Sequence, residues 1–226
     1  MNNVRLVSHP FVSCLVTSLR NVETETERFR YYTKIVSFFL LYEALENIQT
    51  TENSVYTQPG GVYKGEIFNE KVKIFGVLRE GISMMYSAME IFPHAEFDLV
   101  GVKRNDDDPF NAQAVVYLNK FKDISPDTDR VILMDQMLAT GGTMLALLDS
   151  LKKEYGFKGE IDIISVIVAQ VGAEKILKQY PEVQITCAGF DTEESKGLNE
   201  KGYIYPGLGD AADRYFGVKT NLDNVK

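Results

Sequence analysis

Val131-Ile132-Leu133-Met134-Asp135-Gln136-Met137-Leu138-Ala139-Thr140-Gly141-Gly142-Thr143 runs directly into Met144-Leu145-Ala146-Leu147-Leu148-Asp149-Ser150-Leu151. The four apolar residues 131–134 predict a buried strand, and Met144, Leu147, Leu148 and Leu151 fall on one face of a helix. Between them a loop ends in two glycines and a threonine, so its main-chain N–H groups can converge on an anion at the positive end of the helix. Thr143 stands where a P-loop needs lysine, and Gly141 and Gly142 are one glycine short of a dinucleotide fingerprint. Asp135 instead closes the strand where a ligand sits in an open α/β sheet, with hydroxyls following at Thr140 and Thr143. An acid for sugar hydroxyls beside amides for one phosphate points to a ribose 5-phosphate.

The chain around this stretch is one domain long. Its 226 residues are 45% hydrophobic, enough for a substantial α/β core, and no Pro/Gly/Ser-rich linker divides residues 1–226. A net charge of −8 argues against a general nucleic-acid or membrane-surface binder, whose affinity rests on clustered lysine and arginine. An anionic ligand must therefore be met by local cations or a metal ion. Cys14 and Cys187 are too few for a disulfide framework and read as reduced core thiols. The longest apolar run, Phe38 to Tyr42, is too short for a membrane span, so a cytoplasmic protein is expected.

Residues 1–50 read as an N-terminal arm followed by a long helix. His9-Pro10 lies in the arm, where His9 reads as structural in preference to catalytic. The helix starts at Thr24 or Thr26, because Phe29, Tyr32, Ile35, Val36, Phe39 and Leu40 recur at three and four, and it is expected to reach about Ile48. Its apolar second half fits either the core or the face of a dimer. Gln58-Pro59-Gly60-Gly61, between Val55-Tyr56 and Val62-Tyr63, predicts a small hairpin.

Val72 to Leu78 reads as a strand, Arg79-Glu80-Gly81 as its turn, and Ile82 to about Ile91 as a helix. Leu99 to Val102 is a second strand, delivering Lys103 and Arg104; Asp106-Asp107-Asp108 reads as an exposed acidic turn in preference to a metal cluster. Ala114 to Leu118 forms a short strand, Ile161 to Ala169 a central one, Glu174 to Leu177 a helix, and Val183 to Ala188 another strand. That alternation predicts a mostly parallel sheet flanked by helices. Gly197 to Gly217 has neither period across its centre, and Pro206, Gly207 and Gly209 force an irregular path whose main-chain polar groups need water or a ligand.

Two of these stretches carry a resemblance. Asp135 to Thr143 resembles the phosphoribosyl pyrophosphate (PRPP) loop of the type I phosphoribosyltransferases, and Pro206-Gly207-Leu208-Gly209-Asp210-Ala211-Ala212-Asp213 is similar to the uracil-binding hood of the uracil phosphoribosyltransferases. The resemblance implies that family's α/β fold, with a hood over residues 190–217 and a flap hairpin to which Tyr117 and Lys120 belong. It also implies transfer of phosphoribose from PRPP to uracil, giving UMP and pyrophosphate with Mg²⁺; the apolar helix near Phe39 suggests a homodimer or higher oligomer. PRPP contacts would come from Arg79, Arg104, Asp135, Gln136, Met137, Leu138, Ala139, Thr140, Gly141, Gly142, Thr143 and Asp210. Ile204, Gly209, Asp210 and Ala211 would hold uracil, and Asp210, Asp135 and Arg104 would serve catalysis, with Asp210 the nearest protein group to the metal.

Four residues depart from the family pattern: Glu80, Gln136, Gln170 and Ala212. A carboxylate at Glu80 would repel pyrophosphate unless it turns outward, and Ala212 would be strained if its position needs a positive φ. These departures keep open a second class of function, a regulatory protein on the same fold that binds nucleotides or RNA with reduced catalysis. The sequence leaves regulation by GTP undecided.

Overall fold

The computed structural model describes residues 3–103, 114–200 and 202–218, the side chains of Glu194 and Ser195 excepted. Nine strands and seven α-helices follow one another along these residues: β1 (Val4–Leu6), α1 (Pro10–Arg20), α2 (Thr26–Ala44), β2 (Thr50–Tyr56), β3 (Val62–Phe68), β4 (Val72–Leu78), α3 (Gly81–Ile91), β5 (Glu96–Lys103), β6 (Val115–Leu118), β7 (Arg130–Leu138), α4 (Gly142–Asp149), β8 (Glu160–Ala169), α5 (Gln170–Gln179), β9 (Gln184–Asp191), α6 (Glu193–Gly197) and α7 (Ala211–Phe216). Seven strands form one sheet in the order β1-β9-β8-β7-β4-β5-β6, parallel except for β6, and β2 and β3 form a separate antiparallel hairpin. Alternate residues of the central strands face opposite layers, so two cores form. Ile132 and Met134 pack toward α1, α2 and α3 with Phe29, Leu40 and Met84; Val131 and Leu133 pack toward α4 and α5 with Leu147, Leu148 and Ile176. Among the described residues no helix is long and apolar enough to cross a membrane.

The sequence pattern finds most elements and misjudges several ends. β7 runs on past Asp135 to Leu138, because Met137 and Leu138 continue the ladder with Ile167 and Val168 of β8. The arm packs on the body, with β1 added in parallel to β9. His9 caps α1, its Nδ1 accepting from the N–H of Phe11 at 3.2 Å, and its ring stacks on Phe39. α2 stops at Ala44, short of Ile48. Its apolar run divides: Leu40 and Leu41 are fully buried, each contributing about 1.5–3 kcal/mol, whereas Tyr42 is 78% exposed. The two cysteines also divide, since Cys187 is buried and Cys14 is exposed on α1. Burial pushes the Cys187 thiol up to about 12, which leaves it inert.

At the amino ends of the strands, Arg130 lies among carboxylates. Its Nε bonds Glu70 at 2.5 Å, its Nη1 Asp162 at 2.8 Å and its Nη2 Glu160 at 2.6 Å. Glu70 and Asp162 are both buried, two anions to one buried cation. Burial therefore lifts Asp162 to about 6, although Arg130 opposes the rise. Between the ordinary carboxylate range and about 6, the folded chain keeps a proton here that the unfolded chain has lost. Stability is thus expected to fall as pH rises through that window. Urea titrations at about pH 4.5 and about pH 6.5 should show the decline, and Asp162→Asn should flatten it; an unchanged slope in that variant contradicts the assignment.

Candidate active site

β4 and β7 are neighbours whose onward connections diverge: β4 leads through α3 to β5 on one side, and β7 leads through α4 to β8 on the other. Open α/β sheets bind ligands at such a switch point, beyond the carboxyl ends of the strands. β7 pairs with β4 only as far as Met134 opposite Gly76, then continues on β8 alone. Asp135 is the first residue past that parting and is half-buried. Arg79 follows the end of β4 and is exposed. The two sequence-chosen charges thus lie toward the carboxyl ends of neighbouring strands, one on each side of the switch point.

The loop between β7 and α4 forms as its glycines require. Gly141 caps α4 with φ +78°, a left-handed conformation that a side chain would strain, and its carbonyl accepts from the N–H of Leu145 at 2.9 Å. A Cβ on Gly172 would lie 2.1 Å from the carbonyl of Ala139, so α5 presses against the loop and fixes its path. Thr140 is buried, while Gly142 and Thr143 are partly open. Gln136 is fully buried, its Nε2 donating to Ser83 Oγ of α3 at 2.7 Å.

At the Arg79 turn, Glu80 neither points away nor stands free. Its Oε2 accepts the N–H of Arg79 at 3.2 Å, folding the carboxylate back onto its own turn. Arg79 Nη2 reaches Asp213 Oδ1 of α7 at 3.5 Å, so the turn after β4 touches the C-terminal hood.

The hood is held from beneath by residues that no local pattern picks out. Asp191, buried at the end of β9, takes both Arg20 nitrogens, Nη1 at 2.8 Å and Nη2 at 2.5 Å, and accepts the N–H of Gly207 at 2.9 Å. Arg20 Nη1 also donates to the Gly207 carbonyl at 2.7 Å. Arg214 bridges the carbonyls of Leu19, Leu208 and Asn21 while lying over the Phe29 ring. Their partners lie 171 to 195 residues away for Arg20–Asp191, Arg20–Gly207 and Arg214–Leu19, beyond the reach of periodicity. Leu198 pairs with Ile204 across the hood's neck, and Asp210 caps α7 by accepting the Asp213 N–H at 2.8 Å. Gly209 is exposed at φ +80°, and Ala211 and Ala212 are fully buried in the first turn of α7. Ala212 has no positive φ, so its departure from the family pattern carries no backbone strain. Gln170 opens α5 and bonds Glu174, which pairs in turn with Lys196 of α6.

Some expectations lie elsewhere. Arg104, Asp106, Asp107 and Asp108 fall outside the described residues, as does the tip of the flap hairpin between β5 and β6. Of the flap residues, Tyr117 lies across Gly101 of β5, close enough that a Cβ there would meet its ring at 2.4 Å, and Lys120 pairs with Asp123 at 3.5 Å.

Comparison with known proteins bears on this geometry. The family model described as uracil phosphoribosyltransferase matches residues 6–218. A uracil phosphoribosyltransferase of Dictyoglomus turgidum is 38% identical over 218 residues, spanning 96% of this chain and all of that one. The solved AQ2163 protein of Aquifex aeolicus is similar at 31% identity and a TM-score of 0.82, covering 96% of this chain and 99% of the other. The adenine phosphoribosyl transferase of Trypanosoma brucei shares the fold at 15% identity and a TM-score of 0.53, over 87% of this chain and 88% of that one.

Proposed function

The chain belongs to the uracil phosphoribosyltransferases, and from that membership we propose how its residues divide the work of the transfer. The reaction forms the bond between uracil N1 and C1′ of PRPP as the bond from C1′ to pyrophosphate breaks, giving UMP and pyrophosphate with loss of the N1 proton. Positive charge grows at the ribose and negative charge at the leaving group, so catalysis here is positioning plus electrostatic stabilisation. The observation that carries the assignment is the crevice at the β4/β7 switch point, with Asp135 on one lip, Arg79 on the other and the hood tied to Arg79 through Asp213.

In this reading Asp135 accepts from the ribose hydroxyls and the main chain from Met137 to Thr143 cradles the 5′-phosphate. Arg79 meets the pyrophosphate, and Arg104 is assigned beside it on the resemblance alone. Main-chain groups of Ile204, Gly209, Asp210 and Ala211 read the base. The four departures fit an enzyme: Ala212 sits in ordinary helix, Gln170 and the Gln136 Nε2 are hydrogen-bonded within the body, and Glu80 folds onto its own turn.

Magnesium fits this set of groups as an ion carried on substrate. Among the described residues no three His, Cys, Asp or Glu side chains gather into a cage, and Mg²⁺ commonly binds through one or two carboxylates plus phosphate oxygens. Asp210 is the carboxylate we assign to it; bound there, the ion would neutralise charge developing on pyrophosphate. A second copy of the chain is the protein partner we propose, and Tyr31 and Tyr42, 54% and 78% exposed on α2, suit such a face.

The test is turnover of uracil and PRPP, followed by UMP formation, with Mg²⁺ and with excess chelator. UMP is expected in the first and none in the second; activity in chelator contradicts the role of the ion, and no UMP in either contradicts the assignment of the site. Glu80→Gln should tighten pyrophosphate inhibition by about threefold, because a like charge leaves a solvent-exposed turn where such terms are small. Weaker inhibition in that variant would mean that the carboxylate helps the site instead of opposing the ligand.

A further inference from the structure

Two of the four departures from the family pattern, Gln136 and Glu80, are joined in space by one side chain. Gln136 Nε2 donates to Ser83 Oγ at 2.7 Å, and Ser83 Oγ donates to the Glu80 carbonyl at 2.7 Å. The serine's own proton goes to Glu80, so its lone pair must meet a donor, which fixes the carboxamide with its nitrogen toward Ser83. Gln136 and Ser83 are 0% and 2% exposed, so water does not compete for this chain of bonds. It crosses the switch point, from the β7 residue next to Asp135 to the turn that presents Arg79.

The two lips also touch at a second place. A Cβ on Gly81 would lie 2.2 Å from the Met134 carbonyl, so the turn after β4 is pressed against the β7 backbone. Met134 and Gln136 flank Asp135 in the strand. The contact at Met134 sets how near the lips come. The bond at Gln136 fixes the turn against sliding along β7, a motion that a van der Waals contact opposes weakly.

We propose that Gln136 is a positioning residue that sets the spacing between Asp135 and Arg79 through Ser83 and the Glu80 carbonyl. It rests on the reading that Asp135 holds ribose and Arg79 holds pyrophosphate. PRPP is the reactant that engages both lips, ribose on one and pyrophosphate on the other. UMP carries a ribose and a 5′-phosphate but no pyrophosphate, so it engages the β7 lip and the hood and meets the Arg79 turn only indirectly, through the exposed Arg79–Asp213 pair, which is worth little. Loosening the spacing therefore penalises PRPP and spares UMP.

Gln136→Met keeps the length and apolar volume of the side chain and removes the donor together with the buried, unpartnered Oε1; Ser83→Ala removes the relay. Calorimetric binding of PRPP and of UMP with Mg²⁺ is compared for the parent, each single variant, the double variant and Arg79→Ala. Each single variant should weaken PRPP about tenfold, the size of one buried hydrogen bond. UMP should move less than about twofold, and the double variant should be no worse than the weaker single, as expected for residues in one chain. Equal weakening of PRPP and UMP would mean a general structural role and overturn the proposal. So would unchanged PRPP binding in Gln136→Met beside weakened binding in Arg79→Ala. Unchanged PRPP binding in Arg79→Ala is a different failure, one that removes pyrophosphate from this turn and takes the proposal with it.

Discussion

Gly207→Ala should cut kcat/KM for uracil by about a hundredfold and leave PRPP affinity within about threefold. Gly207 has φ +57°, and a Cβ built there would lie 2.1 Å from the Ile204 carbonyl, too close for any real contact. The left-handed backbone costs an alanine about 1–2 kcal/mol even with space available. Here the turn must also move, and its N–H and carbonyl are the groups bound by Asp191 and Arg20. Weakening one buried bond of this kind costs about 1–3 kcal/mol more. Gly209→Ala is the control, since φ +80° strains it but the nearest atom to its Cβ would be Arg214 Cδ at 3.8 Å. Its loss should be near tenfold, from strain alone. Equal effects at the two glycines would show that the hood does not depend on the Asp191 anchor, and normal uracil use by Gly207→Ala would remove the hood from the base site.

Asp135→Asn should lower kcat/KM for PRPP by about 10- to 150-fold, the loss expected when charge-assisted bonds to two hydroxyls become neutral ones worth about 1.5–3 kcal/mol less. The side chain is half-buried past the parting of β4 and β7, so the fold should tolerate the change. Thermal unfolding of the variant within a few degrees of the parent, beside the lost activity, is the expected pair of results. Parental turnover and PRPP affinity would take Asp135 out of the site.

The strand, loop and helix from Arg130 to Asp149 were legible because one short stretch carries a buried run, two glycines and a helical face together. The hood was legible as irregular chain because proline and glycine punctuate it. The continuation of β7 past Asp135 was not, since it depends on which neighbouring strand keeps pairing, and Asp135 interrupts the apolar run where the ladder does not stop. Arg20, Asp191 and Arg214 were missed for a related reason: each looks like an ordinary charge in its own segment and acquires its role from a partner far along the chain. Gln136 was marked as a departure, yet that it faces Ser83 of α3 and not the loop follows from strand alternation combined with helix placement. Cys14 shows the limit of composition, since the residue type favours burial but its position puts it on the exposed face of α1.

In the proposed reading the hood's main chain selects the base. Uracil offers an acceptor at O4 beside a donor at N3, cytosine the reverse, and a peptide N–H cannot become an acceptor. Each mismatched buried group costs about 1–3 kcal/mol, and polar sites of this kind reject an analogue by roughly 10⁴-fold. The direct test is kcat/KM for uracil and for cytosine in the parent and in Tyr205→Phe, which alters an exposed hood side chain and spares the backbone. A preference for uracil near 10⁴-fold, retained in Tyr205→Phe, is the predicted result; comparable use of the two bases by the parent, or loss of the preference in the variant, would contradict it.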